Sequence, residues 1–566
     1  MQVRTGPRES FELNEDIEFA PGGRRHPVRL DMILRSSQLS CGVPPKERAA
    51  SAGRRRTSAG QSGAATDVIE SKHRREMVGA TMLLRTALLL LATNASGLGL
   101  RLPAHRTRRR TRPTMAMQWQ SGLGSADADW QTALSTTLAN LTTSEETSLA
   151  LLFVSQAHAS HLREACSEVV QALSPEVLVA VVGAGVAGAG SELEGEPVFS
   201  ILAGALPENT ALRPFLMTSD SMPNWPSLGD SVPEGSPPSF LLFADPYSPI
   251  VQTVNCLDDA FPASVVAGGL SCPTSESAPS LALYTRGALP RVLPSGSVLG
   301  LVLGGPRLEV HTACAQGASP VGPTFTVTAG QDNLVEALDG VPALERLQQV
   351  AQEAASSDER LLRLLQRALL VGLPVRAGDG VDDFLIRQVV GATPGGGLVL
   401  GGERVVAGET QLRFFVRDEI ASDADLRLVL DRCAPRPPRP AFRLPHLPSR
   451  PIRPTDPAVV RADRVARQFS GRFPSSSAEP AAPLATVLFS CNGRGTNMYS
   501  EPDHDTQQFQ QSVADSPLGG FFCNGEIGAP GACLPAPSDN GEPVPFRTHL
   551  HAFTSVFAML YEMPEE

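Results

Sequence analysis

Aromatic residues are scarce in this chain, at 5% of 566 residues with only three tryptophans. A core has to be built from Val, Leu and Ala, with few large anchors. A basic excess is also missing: the formal net charge is -11, which argues against a protein that tracks nucleic-acid phosphates. No Cys-x-x-Cys pair occurs among the nine cysteines. An odd, scattered set points to free thiols in a reducing compartment and not to a disulfide scaffold. No apolar run approaches the roughly 20 residues of a membrane-spanning helix, so no stable transmembrane span is expected in the mature chain. Turn formers are abundant by contrast, with 50 Gly and 49 Pro, and part of the chain is expected to be linker.

Residues 1–81 carry Arg clusters such as Arg54-Arg55-Arg56 and no sustained apolar periodicity. They read as disordered, or as sequence upstream of a start at Met82. Residues 82–126 read as a targeting leader. Arg85, the short apolar run 87–92 and the small residues after it have the layout of a secretory signal. The Arg- and Thr-rich, acid-free stretch that follows has transit-peptide composition. Such a tandem resembles the bipartite leaders of algae with complex plastids and gives a plastid (chloroplast) location. The alternative is a cytoplasmic protein with a basic tail.

From Asp127 the pattern becomes globular and α/β, with mixed sheets and flanking helices. Apolar spacing predicts a helix over 130–141, a strand over 149–154, a helix over 160–173 and strands over 177–182 and 198–202. Further strands are expected over 240–244, 298–303, 308–312, 383–390, 397–400 and 411–416, with helices over 251–261 and 334–354. A last helix is expected from about Ser422, capped by Ser422 or Asp423. Residues 433–483 are too rich in Pro for helix or sheet and read as a disordered insertion.

Gly183, Gly185 and Gly188 match the G-x-G-x-x-G dinucleotide fingerprint and follow a strand. A pyrophosphate site also needs a helix opening at that turn. Gly190, Gly195 and Pro197 all oppose one, so a return to strand is expected, with no nucleotide site.

The chain's organising stretch is 484–561. Two apolar runs, 484–489 and 521–522, each lead into the same tripeptide, Cys491-Asn492-Gly493 and Cys523-Asn524-Gly525. Asn and Gly tolerate tight-turn dihedrals, so both are strand-to-turn signals. Arg494 follows the first and Glu526 the second. Two such strand ends side by side would place opposite charges on one polar pocket.

The set SCNGRG, GFFCNGEIG and LHAFTS resembles the signature of the FIST sensory domain in its C-terminal half. The resemblance implies two related halves of layered sheets, an intracellular ligand-sensing role and a signalling partner. It divides the chain into a FIST N-terminal domain (127–330), the first part of a FIST C-terminal domain (331–432), the insertion, and the signature-bearing part (484–566). The family also occurs in F-box proteins, but 112–149 has room for one helix only and no F-box is expected. Relatives carry Cys and Arg before a Pro where Ala318 and Ser319 stand, which removes that Arg as a ligand contact.

The resulting expectation is a non-catalytic sensory protein that binds a small metabolite such as an amino acid. Its ligand-binding residues would be Cys491, Asn492, Gly493, Arg494, Gly495, Cys523, Asn524, Gly525, Glu526 and His551. Arg suits a carboxylate and Glu an ammonium, unless the two pair with each other and pin the strands. No cofactor or metal is expected. The alternative is haem or metal on His158, His161 and Cys166, whose spacing at a helix start allows ligation. Asp503, His504 and Asp505 read as a solvated loop cluster. Two other functions stay open: a Cys491- or Cys523-dependent enzyme with His549 or His551 as base, and an interaction scaffold.

Overall fold

The structure is a computed structural model that describes residues 119–564, apart from 126–128, 142–146, 219, 234–235, 263, 376–383, 434–481, 514–515 and 534–546. The N-terminal region expected to be disordered, most of the expected leader and the Pro-rich insertion lie outside the described residues. No helix among the described residues is long and apolar enough to cross a membrane.

The described strands form four sheets, three of which repeat one plan. In the first, Leu149–Ser155 and Val177–Gly183 run parallel across the helix Leu162–Leu173. In the second, Ser239–Ala244 and Val266–Leu270 do so across Ile250–Ala260. The third joins Ala485–Cys491 to Leu518–Cys523 across His504–Val513. An antiparallel strand lies beside the first member of each pair and another beside the second. These strands are near-continuous apolar runs because both faces are covered. Leu151, Phe153, Leu241, Phe243, Phe489 and Phe521 meet in one core shared by the three sheets.

The flanking strands interlock distant parts of the sequence. Gly185–Gly188 pairs with Leu518–Cys523, and Glu526–Gly528 pairs with Val266–Leu270. The signature segment is thus stitched into sheets begun some 300 residues earlier. The fourth sheet is wholly antiparallel and includes Ala318–Gln331, Leu369–Pro374, Phe384–Ala392 and Gln411–Arg417. Its core forms against the helix Ala343–Ser357 through Leu347, Val350 and Ala351.

The Gly-rich turn folds as expected without a helix. Gly185–Gly188 returns as Ser191–Glu194, through Ala189 and Gly190 at φ 49° and 85°, a two-residue hairpin. Three expectations need correction. The folded body begins before Asp127: Trp119 is buried and Gln120–Ser125 pairs with Val198–Gly204. That strand is short and Gly-rich, and only pairing makes it legible. Residues 334–354 are not one helix. Leu334–Leu338 is a strand that turns at Asp339 and Gly340, both at positive φ, before the helix starts at Ala343. The i, i+3 spacing of Leu334, Ala337 and Leu338 imitates a helix, while the Asp-Gly pair is the hairpin signal that wins. The helix expected from Ser422 is Glu419–Cys433, and Asp418 caps it by accepting from the N–H groups of Ile420 and Ala421 at 3.0 and 3.3 Å.

Candidate functional site

The strands Ala485–Cys491 and Leu518–Cys523 pair in register, Cys491 opposite Cys523. Their Cys-Asn-Gly turns therefore lie side by side at the carboxyl ends of a parallel pair. Asn492 Nδ2 donates to Asn524 Oδ1 at 2.7 Å, and the Asn492 N–H to the Cys523 carbonyl at 3.0 Å. Asn492 is half-buried and Asn524 exposed, while Gly493, Gly495 and Gly525 are buried. At Gly495, φ is 55°, and a Cβ there would stand 2.1 Å from the Glu194 carboxylate. That carboxylate folds onto the turn and accepts from the Thr496 N–H at 2.7 Å.

Arg494 turns inward and is fully buried (0% exposed). Its Nε and Nη2 donate to the two oxygens of Asp505 at 2.8 and 2.9 Å. Nη1 donates to Ser422 Oγ at 2.6 Å and Nη2 to Tyr499 Oη at 2.9 Å. Asp505 also accepts from Ser555 Oγ and contacts His504 Nδ1 at 3.0 Å. The His504 ring stacks on Tyr499 at 3.5 Å. Burial would by itself lower Arg494, but Asp505 holds it above its ordinary value. Burial opposes ionisation of Asp505 as well, and Arg494 with the surrounding donors still keeps it well below the usual carboxylate range. The solvated cluster expected at residues 503–505 is thus corrected. Asp505 is 1% exposed in the first turn of a helix, because the buried guanidinium needs a bidentate counter-charge.

Glu526 is buried in the strand Glu526–Gly528. It accepts from Thr554 N and Oγ1 at 3.1 and 2.6 Å and from the Cys523 thiol at 3.5 Å. Burial pushes it up to about 7, against the pull of those donors. A bridge between Arg494 and Glu526 is not formed; each is bound by other groups. Glu192 lies beside the same network, pushed up to about 8 by burial and by Asp505.

Burial raises the thiols of Cys491 and Cys523 above their ordinary values, with Glu526 adding to the shift. Neither thiol makes a hydrogen bond to His549 or His551. His551 Nε2 lies 2.9 Å from the Gly528 carbonyl, and burial lowers the ring to about 3. At Cys491 burial outweighs the groups that would favour a thiolate, the Gly493 N–H at 3.5 Å and the Arg417 guanidinium. His158 stacks on Phe199 and His161 on Trp130. No group of three metal-ligating side chains occurs among the described residues. Ser319 donates to Asp418 at 3.0 Å, and Asp418 is also bound by Arg360.

The FIST N domain matches residues 148–341 and the FIST C domain residues 343–529. This chain belongs to the FIST family. It is 28% identical over 417 residues to an uncharacterized protein of Mycobacterium tuberculosis, covering 73% of this chain and 91% of the relative. An uncharacterized protein of Mycobacterium bovis is 29% identical over the same length, covering 73% and 90%. FIST domains are regarded as sensory domains.

The FIST C signature led to Arg494 and Glu526 but not to what surrounds them. Sequence reasoning missed Ser422, Tyr499 and Asp505 as partners of Arg494, and Glu192 and Glu194 as acids reaching in from the hairpin. It also missed Arg417 and Phe553. A signal existed for the last two: Arg417 closes a strand, and Phe553 lies in the LHAFTS motif. Nothing local joins them.

Proposed function

We propose that this FIST protein is a non-catalytic sensory module that binds a small polar metabolite, an amino acid among the candidates, where the two Cys-Asn-Gly turns meet. The reading is carried by one observation: Cys491 and Cys523 stand in register on parallel strands, so both turns share one rim that includes the exposed Asn524. Open α/β sheets commonly take ligands beyond the carboxyl ends of parallel strands. Arg494 and Glu526 lie behind that rim and hold the turns in place. Occupancy would be relayed to a signalling partner. The leader in residues 82–118 would carry the chain to a plastid, and a fluorescent fusion of that segment that stays cytosolic and uncleaved would refute this part.

Native mass spectrometry of the purified full chain tests the binding. A co-purified small molecule, lost when Asn492 and Asn524 are both changed to Leu in a folded variant, is expected. A ligand-free chain that takes up none of a panel of amino acids and small organic acids would refute it.

A further inference from the structure

The rim just described contains a second arginine, and it is bound quite differently from Arg494. Arg417 ends the strand Gln411–Arg417. Its Nη2 lies against Gly493, where a Cβ would stand 3.3 Å away, and the Cys491 sulfur borders the same point. Its Cζ stands 5.9 Å from the centre of the Phe553 ring. Nε and Nη2 are buried and have no hydrogen-bond partner. An arginine cannot shed its proton to escape burial. A buried charge without a partner carries a desolvation penalty that something has to offset.

Among the described residues no carboxylate does so. Burial lowers Arg417, and the neighbouring cations Arg494 and Arg367 lower it further. The groups that act the other way are Cys491 and Tyr499, and both are held protonated by burial. Asp418, next in the chain, is taken by Arg360, Ser319 and the helix start. Asp505 is taken by Arg494. The spot therefore holds an excess of positive charge.

Arg494 shows what the Nε–Nη2 edge accepts. On Arg494 that edge holds the two oxygens of Asp505, the side-on arrangement that suits a carboxylate or phosphate. The same edge of Arg417 has no such partner. Phe553 adds an independent sign. It has φ 63°, a region costly for a bulky residue. Its carbonyl accepts from the Gly317 N–H at 3.0 Å, and its ring packs with Ala318, Phe384 and Phe415 of the antiparallel sheet. Strain of this kind collects at ligand sites, and here it presents the ring to Arg417. Arg417 keeps part of its surface open, and Asn492 in the adjoining turn is half-buried.

We infer that Arg417 is the oxyanion-binding residue of this site, taking a carboxylate or phosphate group of the ligand on its Nε–Nη2 edge with Phe553 as its platform. This rests on the ligand-sensing function proposed above and adds the ligand's chemical class: a small molecule bearing a compact oxyanion. A side chain at position 493 would crowd Nη2.

Thermal melting and calorimetry of the full chain in Tris-chloride, at matched ionic strength, test this with inorganic phosphate, succinate and neutral glycerol as probes. Phosphate or succinate should raise the melting temperature and glycerol should not; which of the two acts distinguishes a phosphate-bearing from a carboxylate ligand. Arg417→Met should abolish the shift without lowering the anion-free melting temperature. Arg417→Lys should weaken binding on the order of tenfold, because a point charge lacks the fork. Should Arg417→Met not fold, Gly493→Ala should also weaken binding while the chain stays folded. An oxyanion shift that persists in Arg417→Met, or an anion-free melting temperature that falls sharply in that variant, overturns the inference. Native mass spectrometry separates the two failures. A molecule still held at the rim by Arg417→Met leaves the sensory function standing and defeats only the oxyanion role. A wild-type chain that neither shifts nor carries a molecule defeats both.

Discussion

Arg494 and Arg417 lie at the same pair of turns, and both bury guanidinium nitrogens. Arg494 is bound by Asp505, Ser422 and Tyr499; the inner edge of Arg417 has no hydrogen-bond partner among the described residues. The difference teaches that residue type and burial alone do not make a binding residue. A buried arginine saturated by its own chain is a structural pin joining a turn, a helix start and the helix Glu419–Cys433. One left unsaturated is available to a ligand. The two should therefore respond in opposite ways to loss of charge.

The largest expected effect is on Arg494. Arg494→Met leaves Asp505 buried without its partner and should cost about 3–5 kcal/mol in denaturant unfolding. Adding Asp505→Asn should recover part of that loss, since the two act as one unit. Arg417→Met should cost little or nothing without an anion. A similar loss for both variants would erase the distinction.

The next effect is on pH dependence. Glu192 and Glu526 are raised to about 8 and about 7 from an ordinary 4.5. The folded state therefore holds their protons more tightly than the unfolded state. Their contribution is fully present below pH 4.5 and is lost as pH rises through those folded values. Asp505 acts oppositely: its folded value lies below the ordinary 3.8, so its contribution is lost as pH falls beneath that. Melting temperature should accordingly peak on the acid side of neutrality. Glu192→Gln should flatten the decline between pH 4.5 and about 8, and an unchanged profile would remove Glu192 from the network around Arg494.

Gly493→Ala should have a smaller effect on stability, about 1 kcal/mol, because a single methyl crowds a side chain that can shift slightly. Calorimetry with phosphate or succinate should still show weaker binding in this variant. The smallest expected signal is thiol reactivity. Cys491 and Cys523 should react with a disulfide reagent at neutral pH far more slowly in the native chain than in denaturant. Fast native labelling would restore the enzyme alternative.

Much of the α/β body is legible in the sequence because strands buried on both faces write themselves as apolar runs. Residues 149–154, 240–244 and 411–416 all fall inside observed strands. Where the pattern was ambiguous, turn chemistry decided. At 334–354, Asp339-Gly340 splits what the apolar spacing presents as a helix. Gln120–Ser125 carries almost no apolar signal and becomes a strand because Val198–Gly204 leaves it an edge to pair with.

Residue order alone was enough to say that two strands end in matching Cys-Asn-Gly turns, that Gly183–Gly190 cannot open a helix, and that the chain resembles a FIST protein. Each depends on neighbours along the chain, through local sterics and short-range periodicity. Which charges are already paired follows from how the sheets and helices pack. Asp505 lies 11 residues from Arg494, and Ser422 lies 72 away across the Pro-rich insertion. Arg417 ends a strand of the antiparallel sheet, and Phe553 reaches it from the bend between His549–His551 and Thr554–Glu562. Sheet register and burial choose those partners, and burial also moves Glu192 and Glu526 from ordinary acids to groups that titrate near neutrality.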